Sequence, residues 1–163
     1  MGELDQQGIK ATAPQFPNPK TPEIPAWMQT FREAIGEAGD ELVLVGHSLG
    51  CLIVLRYLSD LGMSARVAGI VLVAGMADIP QWHPNELFTP PLDFNKIRQI
   101  AAKRVCIYSG DDDRVEPERT KELAKLIDAE LVEDPDKGHF AGQHGCLELP
   151  SVLKAVHSCY TLN

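Results

Sequence analysis

Short apolar runs alternate along this chain with segments in which apolar residues recur every three or four positions. Apolar runs of four to eight residues between turn signals are typical of buried strands, and the longer periodic segments indicate helices. The predicted strands are Ile9–Ala13, Glu41–Val45, Val67–Ala74, Val105–Tyr108 and Ala129–Val132. The predicted helices are Leu49–Leu61, Phe94–Ala101, Pro117–Ile127 and Leu147–His157, with one more after a proline-rich segment. This alternation predicts a three-layer α/β/α sandwich with helices on both faces of a mostly parallel sheet.

Prolines are dense over residues 14–25, too dense for the interior of a helix or a central strand. A flexible linker is one interpretation of this segment. The favoured interpretation is an ordered loop that leads into a helix, with Thr21 as the N-cap and Pro22 at the first helical position. Gly36 or Gly39 is expected to end that helix.

A possible nucleophile lies in Gly46-His47-Ser48-Leu49-Gly50, which matches the G-x-S-x-G pattern between a predicted strand and a predicted helix. In that setting the pattern forms a nucleophile elbow, a sharp turn that holds the serine in a strained backbone conformation. Gly46 and Gly50 are expected to relieve crowding between the flanking segments. The Leu49 amide is expected to stabilise an oxyanion beside the Ser48 hydroxyl. A glycine-flanked turn without chemistry is the competing interpretation.

A nucleophilic serine needs a general base and an acid that orients the base. In this class of site the order along the chain is serine, acid and histidine, and the later two follow strands. His139, in a Gly-His-Phe setting after a predicted strand, fits the base. Asp111, Asp112 and Asp113 all fit the acid by position, and their spacing does not separate them.

The other histidines fit the base less well. His47 adjoins the nucleophile and is expected to line the pocket or support the turn, and Phe140 is expected to contact substrate with it. His83 precedes the acid in the chain, and His144 lacks the Gly-His-Phe setting. His157 lies in a predicted helix.

Net charge limits the classes of binding partner, and the cysteine pattern indicates the redox compartment. A net charge of −8 argues against nucleic acid and anionic membranes as main partners, because both need a basic face. The 163 residues fit one domain. Four cysteines without C-x-x-C spacing predict free thiols, with Cys51 and Cys106 in the core. With no signal peptide recognisable, the cytoplasm is the predicted compartment.

Metal and cofactor sites fit the sequence poorly. His139, His144 and Cys146 could ligate zinc, but no fourth ligand stands at a familiar spacing. The acidic cluster at residues 111–113 lacks the alternating spacing of a calcium loop. A flavodoxin-like binder would need a glycine-rich phosphate loop after the first predicted strand, where prolines stand instead. The sequence therefore predicts neither a metal nor a cofactor.

Five segments together resemble the compact serine hydrolases typified by retinoblastoma-binding protein nine and its bacterial relatives. The segments are Pro14–Pro19, Gly46–Gly50, Leu87–Phe94, Ser109–Asp113 and Lys137–Phe140. The resemblance covers nearly the whole chain and implies an α/β-hydrolase fold with a minimal or absent lid. It implies a triad of Ser48, His139 and Asp113, and carboxylesterase-like activity on small acyl substrates. The retinoblastoma contact needs a Leu-x-Cys-x-Glu motif, which this sequence lacks.

The chain departs from that family at its start. Members begin with a strand, a glycine-rich loop and a helix, of which this chain has only the end of the helix. Such a segment would add roughly 25 residues. Its loop would supply a second oxyanion donor, and its strand would lie between those at Ile9–Ala13 and Leu42–Val45. The expectation is an N-terminal truncation or a start other than Met1. A catalytically impaired remnant, or a binding protein that retains the pocket, is the alternative function.

Overall fold

The structure is a computed structural model that describes residues 2–77 and 90–161. The chain divides into two units, residues 1–37 and residues 38–163. The first unit holds two helices, α1 (Gly2–Gln6) and α2 (Ile24–Ile35). The second unit holds the sheet and every residue proposed above for chemistry. The expectation of one domain stays a prediction.

Within the first unit, the proline-rich segment folds against α2. The indole N–H of Trp27 donates to the Pro17 carbonyl at 2.7 Å. The Trp27 ring also stacks on Phe16, with 4.7 Å between ring centroids. These contacts confirm an ordered loop leading into a helix and argue against a flexible linker.

Two predictions for the first unit are wrong. Residues 9–13 form no strand, because a strand needs a partner for its backbone hydrogen bonds and local sequence cannot supply one. The N-cap of α2 is Glu23, with Pro25 in the first turn, so Thr21 and Pro22 lie before the helix. The end of α2 is as predicted, since Gly36 follows it at a φ of 70°, which favours glycine.

The second unit is built on a four-stranded parallel sheet in the order β1-β2-β3-β4. The strands are β1 (Val43–His47), β2 (Val67–Val73), β3 (Ala101–Tyr108) and β4 (Glu130–Glu133). The helices are α3 (Leu49–Asp60), α4 (Phe94–Ile100), α5 (Pro117–Leu126) and α6 (Pro150–Tyr160), and a 3-10 turn covers Gly142–His144. All four predicted strands of this unit are present. β1 runs to His47 and β3 begins already at Ala101, directly after α4.

Helices cover both faces of this sheet. Every residue of β2 is buried, as expected for a strand packed on both sides. α3 packs on β1, α5 on β3, and α6 on β2 and β3. The fit of α6 is tight, because a Cβ at Gly69 would lie 2.4 Å from the Cys159 sulfur. The predicted three-layer α/β/α architecture is therefore confirmed. None of the helices in the described ranges has the length and apolar character needed to cross a bilayer.

The backbone ladder continues one residue beyond the carboxyl ends of the strands. The three bonds are Ser48 N to Val73 O, Ala74 N to Ile107 O and Asp134 N to Tyr108 O, each 2.9 Å long. They attach the residues that directly follow β1, β2 and β4 to the neighbouring strand. The sheet therefore fixes how far apart these segments lie at the edge where ligands bind in α/β folds.

Candidate active site

Ser48 occupies a strained turn between β1 and α3. Its φ of 53° and ψ of −120° are values that residues other than glycine rarely adopt. The turn is held by its ladder bond to β2 and by the Cys51 amide, which donates to the Ser48 carbonyl at 3.0 Å. Backbone strain of this kind persists only where the surroundings impose it, and it is concentrated at functional sites. This is the geometry predicted for a nucleophile elbow.

The two glycines of the elbow are not equivalent. A Cβ at Gly46 would lie 2.8 Å from both the amide nitrogen and the Cα of Cys51, so this position has no room for a side chain. A Cβ at Gly50 would meet nothing within 4 Å. The prediction that both glycines relieve crowding is therefore right for Gly46 and wrong for Gly50, since the turn of α3 directs Gly50 into open space.

Leu49 is the first residue of α3. Amides in the first turn of a helix have no partner within the helix, and the helix dipole makes this end attractive to negative charge. Both Ser48 and Leu49 are partly exposed. An oxyanion role for the Leu49 amide fits this position and stays a prediction.

His139 is paired with Asp112. Its Nδ1 lies 3.0 Å from each of the two Asp112 carboxylate oxygens. The His139 and Asp112 side chains are only 7% and 2% exposed. A carboxylate can only accept hydrogen bonds, so Nδ1 carries the proton and Nε2 is the basic nitrogen of the neutral ring. Asp112 thus fixes the tautomer that a general base for Ser48 needs.

The structure moves the assignment of the acid from Asp113 to Asp112. The Asp112 Oδ1 also accepts from the backbone amides of Arg114 and Val115, each at 2.9 Å, which turns this carboxylate inward. Asp113, chosen from the family resemblance, is exposed. Sequence spacing gave no signal that could separate these neighbours, because any aspartate in such a turn can bond to amides two and three residues on.

A second carboxylate holds the backbone just before His139. The Asp111 Oδ1 accepts from the Ser109 hydroxyl at 2.6 Å and from the Gly138 amide at 3.0 Å. The Ser109 Oγ in turn accepts from the Lys137 amide at 3.1 Å, and Ser109 is fully buried. The consecutive aspartates therefore have different partners: Asp112 bonds the imidazole ring, and Asp111 bonds the loop that carries it.

His47 joins the elbow to the base. Its Nε2 lies 2.9 Å from the His139 carbonyl oxygen, and the two rings lie 4.8 Å apart between centroids. Burial, and then the nearby His139, lower the pKa of His47. Because His47 directly precedes Ser48, this contact brings the chain at the nucleophile against the chain at the base. Phe140 follows His139 at a φ of 52° and is buried, and its contact with substrate stays a prediction.

Comparisons with known proteins agree with this geometry. The model of the family described as serine hydrolase matches residues 4–158. The chain belongs to the serine hydrolase family. It is 35% identical over 156 residues to YdeN of Bacillus subtilis, which is named as a hydrolase, with 94% of this chain and 82% of YdeN covered. It is 23% identical to serine hydrolase RBBP9 of Rattus norvegicus over 154 residues, covering 94% of this chain and 80% of that one.

Solved structures support the fold of this serine hydrolase. The crystal structure of the ydeN gene product from Bacillus subtilis matches with a TM-score of 0.89 and 33% identity, covering 98% of this chain and 87% of that one. A hydrolase of the alpha/beta superfamily from Xanthomonas campestris matches with a TM-score of 0.61 and 18% identity, over 99% of this chain and 84% of that one. The expected α/β-hydrolase fold is thereby confirmed.

The remaining candidate residues of the serine hydrolase lie away from these contacts or outside the described ranges. His83 and the first three residues of the Leu87–Phe94 segment lie outside the described residues. His144 lies on the 3-10 turn and His157 on α6. Within the described ranges, no three His, Cys, Asp or Glu side chains are grouped to hold a metal. The cysteines are free thiols, and both Cys51 and Cys106 are buried, as predicted.

Removing the charge of Asp111 in this serine hydrolase should make its free energy of unfolding less sensitive to pH in the acid range. The Ser109 hydroxyl, and then the Gly138 amide, lower the pKa of the Asp111 carboxyl. A carboxyl whose pKa is lower in the folded state stabilises the fold above its unfolded pKa, near 3.9. That stabilisation is lost as the pH falls below this value. Asp111→Asn should therefore lose less free energy of unfolding between about pH 5 and pH 3 than the wild type.

Urea denaturation at half-unit pH steps measures this difference. Ser109→Ala provides a companion variant, because it removes the bond that contributes most to the shift. It should lie between the wild type and Asp111→Asn. Parallel pH curves for the wild type and Asp111→Asn would show that the carboxylate does not hold this loop.

Proposed function

We propose that this serine hydrolase cleaves small esters or related acyl substrates through a triad of Ser48, His139 and Asp112. The observation that carries the proposal is the buried His139–Asp112 pair. Its loop contacts His47, the residue next to a serine in a strained turn. Base, orienting acid and nucleophile thus come from the ends of three strands at one edge of the sheet.

The reaction follows from the proton positions. Ser48 Oγ attacks the acyl carbonyl carbon while its proton passes to His139 Nε2, and Asp112 stabilises the resulting imidazolium. The Leu49 amide stabilises the oxyanion. When the carbonyl re-forms, the bond to the leaving alkoxide breaks and His139 donates the proton to that oxygen. Water then attacks the acyl carbon and gives a proton to His139; the bond from that carbon to Oγ breaks, His139 returns the proton to Ser48, and the acid is released.

Charge and thiol content support the remaining parts of the proposal. A net charge of −8 favours a small uncharged acyl substrate over nucleic acid or an anionic membrane. The half-exposed Ser48 and the neighbouring His47 and Phe140 are the proposed contacts for that substrate. Free thiols at all four cysteines favour a reducing compartment, and we place the enzyme in the cytoplasm.

Active-site labelling tests this function on the wild-type protein. A fluorophosphonate should form an Oγ–phosphorus bond at Ser48 with loss of fluoride, because only an activated serine attacks it. Trypsin cleavage after Arg32 and Arg56 releases residues 33–56, in which Ser48 is the sole serine and no threonine, tyrosine or lysine occurs. Fragmentation of this peptide on either side of Ser48 then separates an adduct on Ser48 from one on His47 or Cys51.

The control is heat-denatured protein, which should not be labelled, because the triad exists only in the fold. An adduct on another peptide, or equal labelling before and after denaturation, would overturn the proposal. Hydrolysis of p-nitrophenyl acetate by the same preparation should stop when the label is complete.

A further inference from the structure

We propose that His47 is a positioning residue for the reaction, which holds the base loop against the nucleophile elbow through a hydrogen bond to the His139 carbonyl. This inference rests on the proposed function, since His47 acts through Ser48 and His139. It assigns a role to a residue for which the sequence suggested only a pocket or turn position.

The contact links the segment that carries the nucleophile directly to the segment that carries the base. His47 ends β1 and is joined to Ser48 by a peptide bond, and its Nε2 lies 2.9 Å from the His139 carbonyl oxygen. A carbonyl only accepts, so the Nε2 of His47 carries the proton and donates. The bond therefore restrains the main chain of the base relative to the main chain of the nucleophile.

Asp111 and His47 hold the base loop from two sides. Asp111 accepts from the Gly138 amide, and His47 donates to the His139 carbonyl, so the peptide groups before and after the Gly138–His139 peptide are bonded from different strand ends. Asp112 meanwhile fixes the His139 ring itself. Without the His47 bond, the loop would keep its attachments to the β3 segment and lose this hydrogen bond to the elbow. The position of the base loop relative to Ser48 would then vary more.

The ring environment keeps His47 suited to this role. The groups that act on it electrostatically are His139 and Asp112. The surroundings of the ring lower the pKa of His47 below its unperturbed value of about 6.5, which favours the neutral form near pH 7. A neutral His47 does not repel the imidazolium that forms on His139 during the reaction. Both features, the donor at Nε2 and the absence of charge, are shared by a glutamine side chain.

The test compares His47→Gln, which places an amide N–H near the position of Nε2, with His47→Phe, which keeps a ring but has no donor. His47→Phe should lower kcat for p-nitrophenyl acetate, and the fluorophosphonate labelling rate, by roughly fivefold to tenfold, the scale of one lost hydrogen bond. KM should change less than kcat, because the phenyl ring can keep the proposed substrate contact of His47, whereas the lost hydrogen bond positions the base. His47→Gln should recover most of the loss. His157→Phe, on α6, is the matched control and should retain wild-type rates.

The outcomes separate this inference from the proposed function. If Ser48 in the wild type is not labelled, the function itself fails. If it is labelled and His47→Phe keeps wild-type kcat, only the role of His47 is overturned. A loss in His47→Gln as large as in His47→Phe would also overturn it, because the ring and not the donor would then matter. Melting temperatures distinguish a misplaced base from a misfolded chain, and melting close to wild type is expected for all three variants.

Discussion

Asp112→Asn is expected to lower kcat by about 10⁴-fold, the scale seen when the acid of a serine protease triad is changed in this way. The amide group of asparagine donates where the carboxylate accepted. It would therefore pair with an unprotonated Nδ1 of His139, and the ring proton would move to Nε2. A ring protonated at Nε2 cannot take the proton of Ser48. The fold should persist, because the asparagine Oδ1 can still accept from the amides of Arg114 and Val115.

Asp113→Asn is the matched control for this prediction. It removes the same charge one residue away, from a side chain that is exposed. Its kcat should stay close to that of the wild type. Steady-state hydrolysis of p-nitrophenyl acetate at pH 7.5 measures both variants, and circular dichroism confirms that both are folded. A large loss in Asp113→Asn with little change in Asp112→Asn would return the acid to Asp113.

Gly46→Ala is expected to damage both stability and activity. The new Cβ would lie 2.8 Å from two backbone atoms of Cys51, and backbone cannot rotate away as a side chain could. The elbow must open, at a cost of about 1–3 kcal/mol in the free energy of unfolding. A displacement of Ser48 by about 1 Å is enough to lower kcat/KM by about 10²-fold.

Gly50→Ala, at the other glycine of the same motif, should change the free energy of unfolding in the opposite direction. Its Cβ meets nothing within 4 Å, and it lies in the first turn of α3. Alanine is favoured over glycine in a helix, so the free energy of unfolding should rise by up to about 1 kcal/mol. Urea denaturation and ester hydrolysis measure the pair. Equal losses of stability and activity in both variants would show that the close contact at Gly46 is not the reason why glycine is needed there.

The elbow turn at Ser48 and the loop that carries His139 could be predicted from the sequence because each depends on local order. Ser48 lies where a buried strand meets a helix, and His139 lies in a loop after a later strand, so periodicity and chain order were sufficient. The acid could not be predicted, because Asp111, Asp112 and Asp113 share one turn. Which carboxylate faces His139 depends on backbone bonds to Arg114, Val115 and Gly138, and these form only in the folded loop.

The first unit also shows features that local sequence could not predict. Residues 9–13 have an apolar pattern compatible with a strand, but pairing is a property of two segments. The α2 helix carries Trp27, Met28 and Phe31 at helical spacing, and all three are buried. The predicted start of α2 was too early. Pro22 and Pro25 both suit the first turn of a helix, and sequence alone does not show which of them the helix uses.

The ladder bonds beyond the strand ends have a consequence for how such an enzyme can evolve. They attach the segment bearing Ser48 to β2, and β2 to β3, which the segment bearing Asp112 follows, through peptide groups that every residue other than proline can supply. Side chains that recognise an acyl group can therefore be exchanged without shifting the registration of the catalytic groups. Substrate preference, which depends on side chains, can therefore change while the backbone keeps the catalytic groups in place.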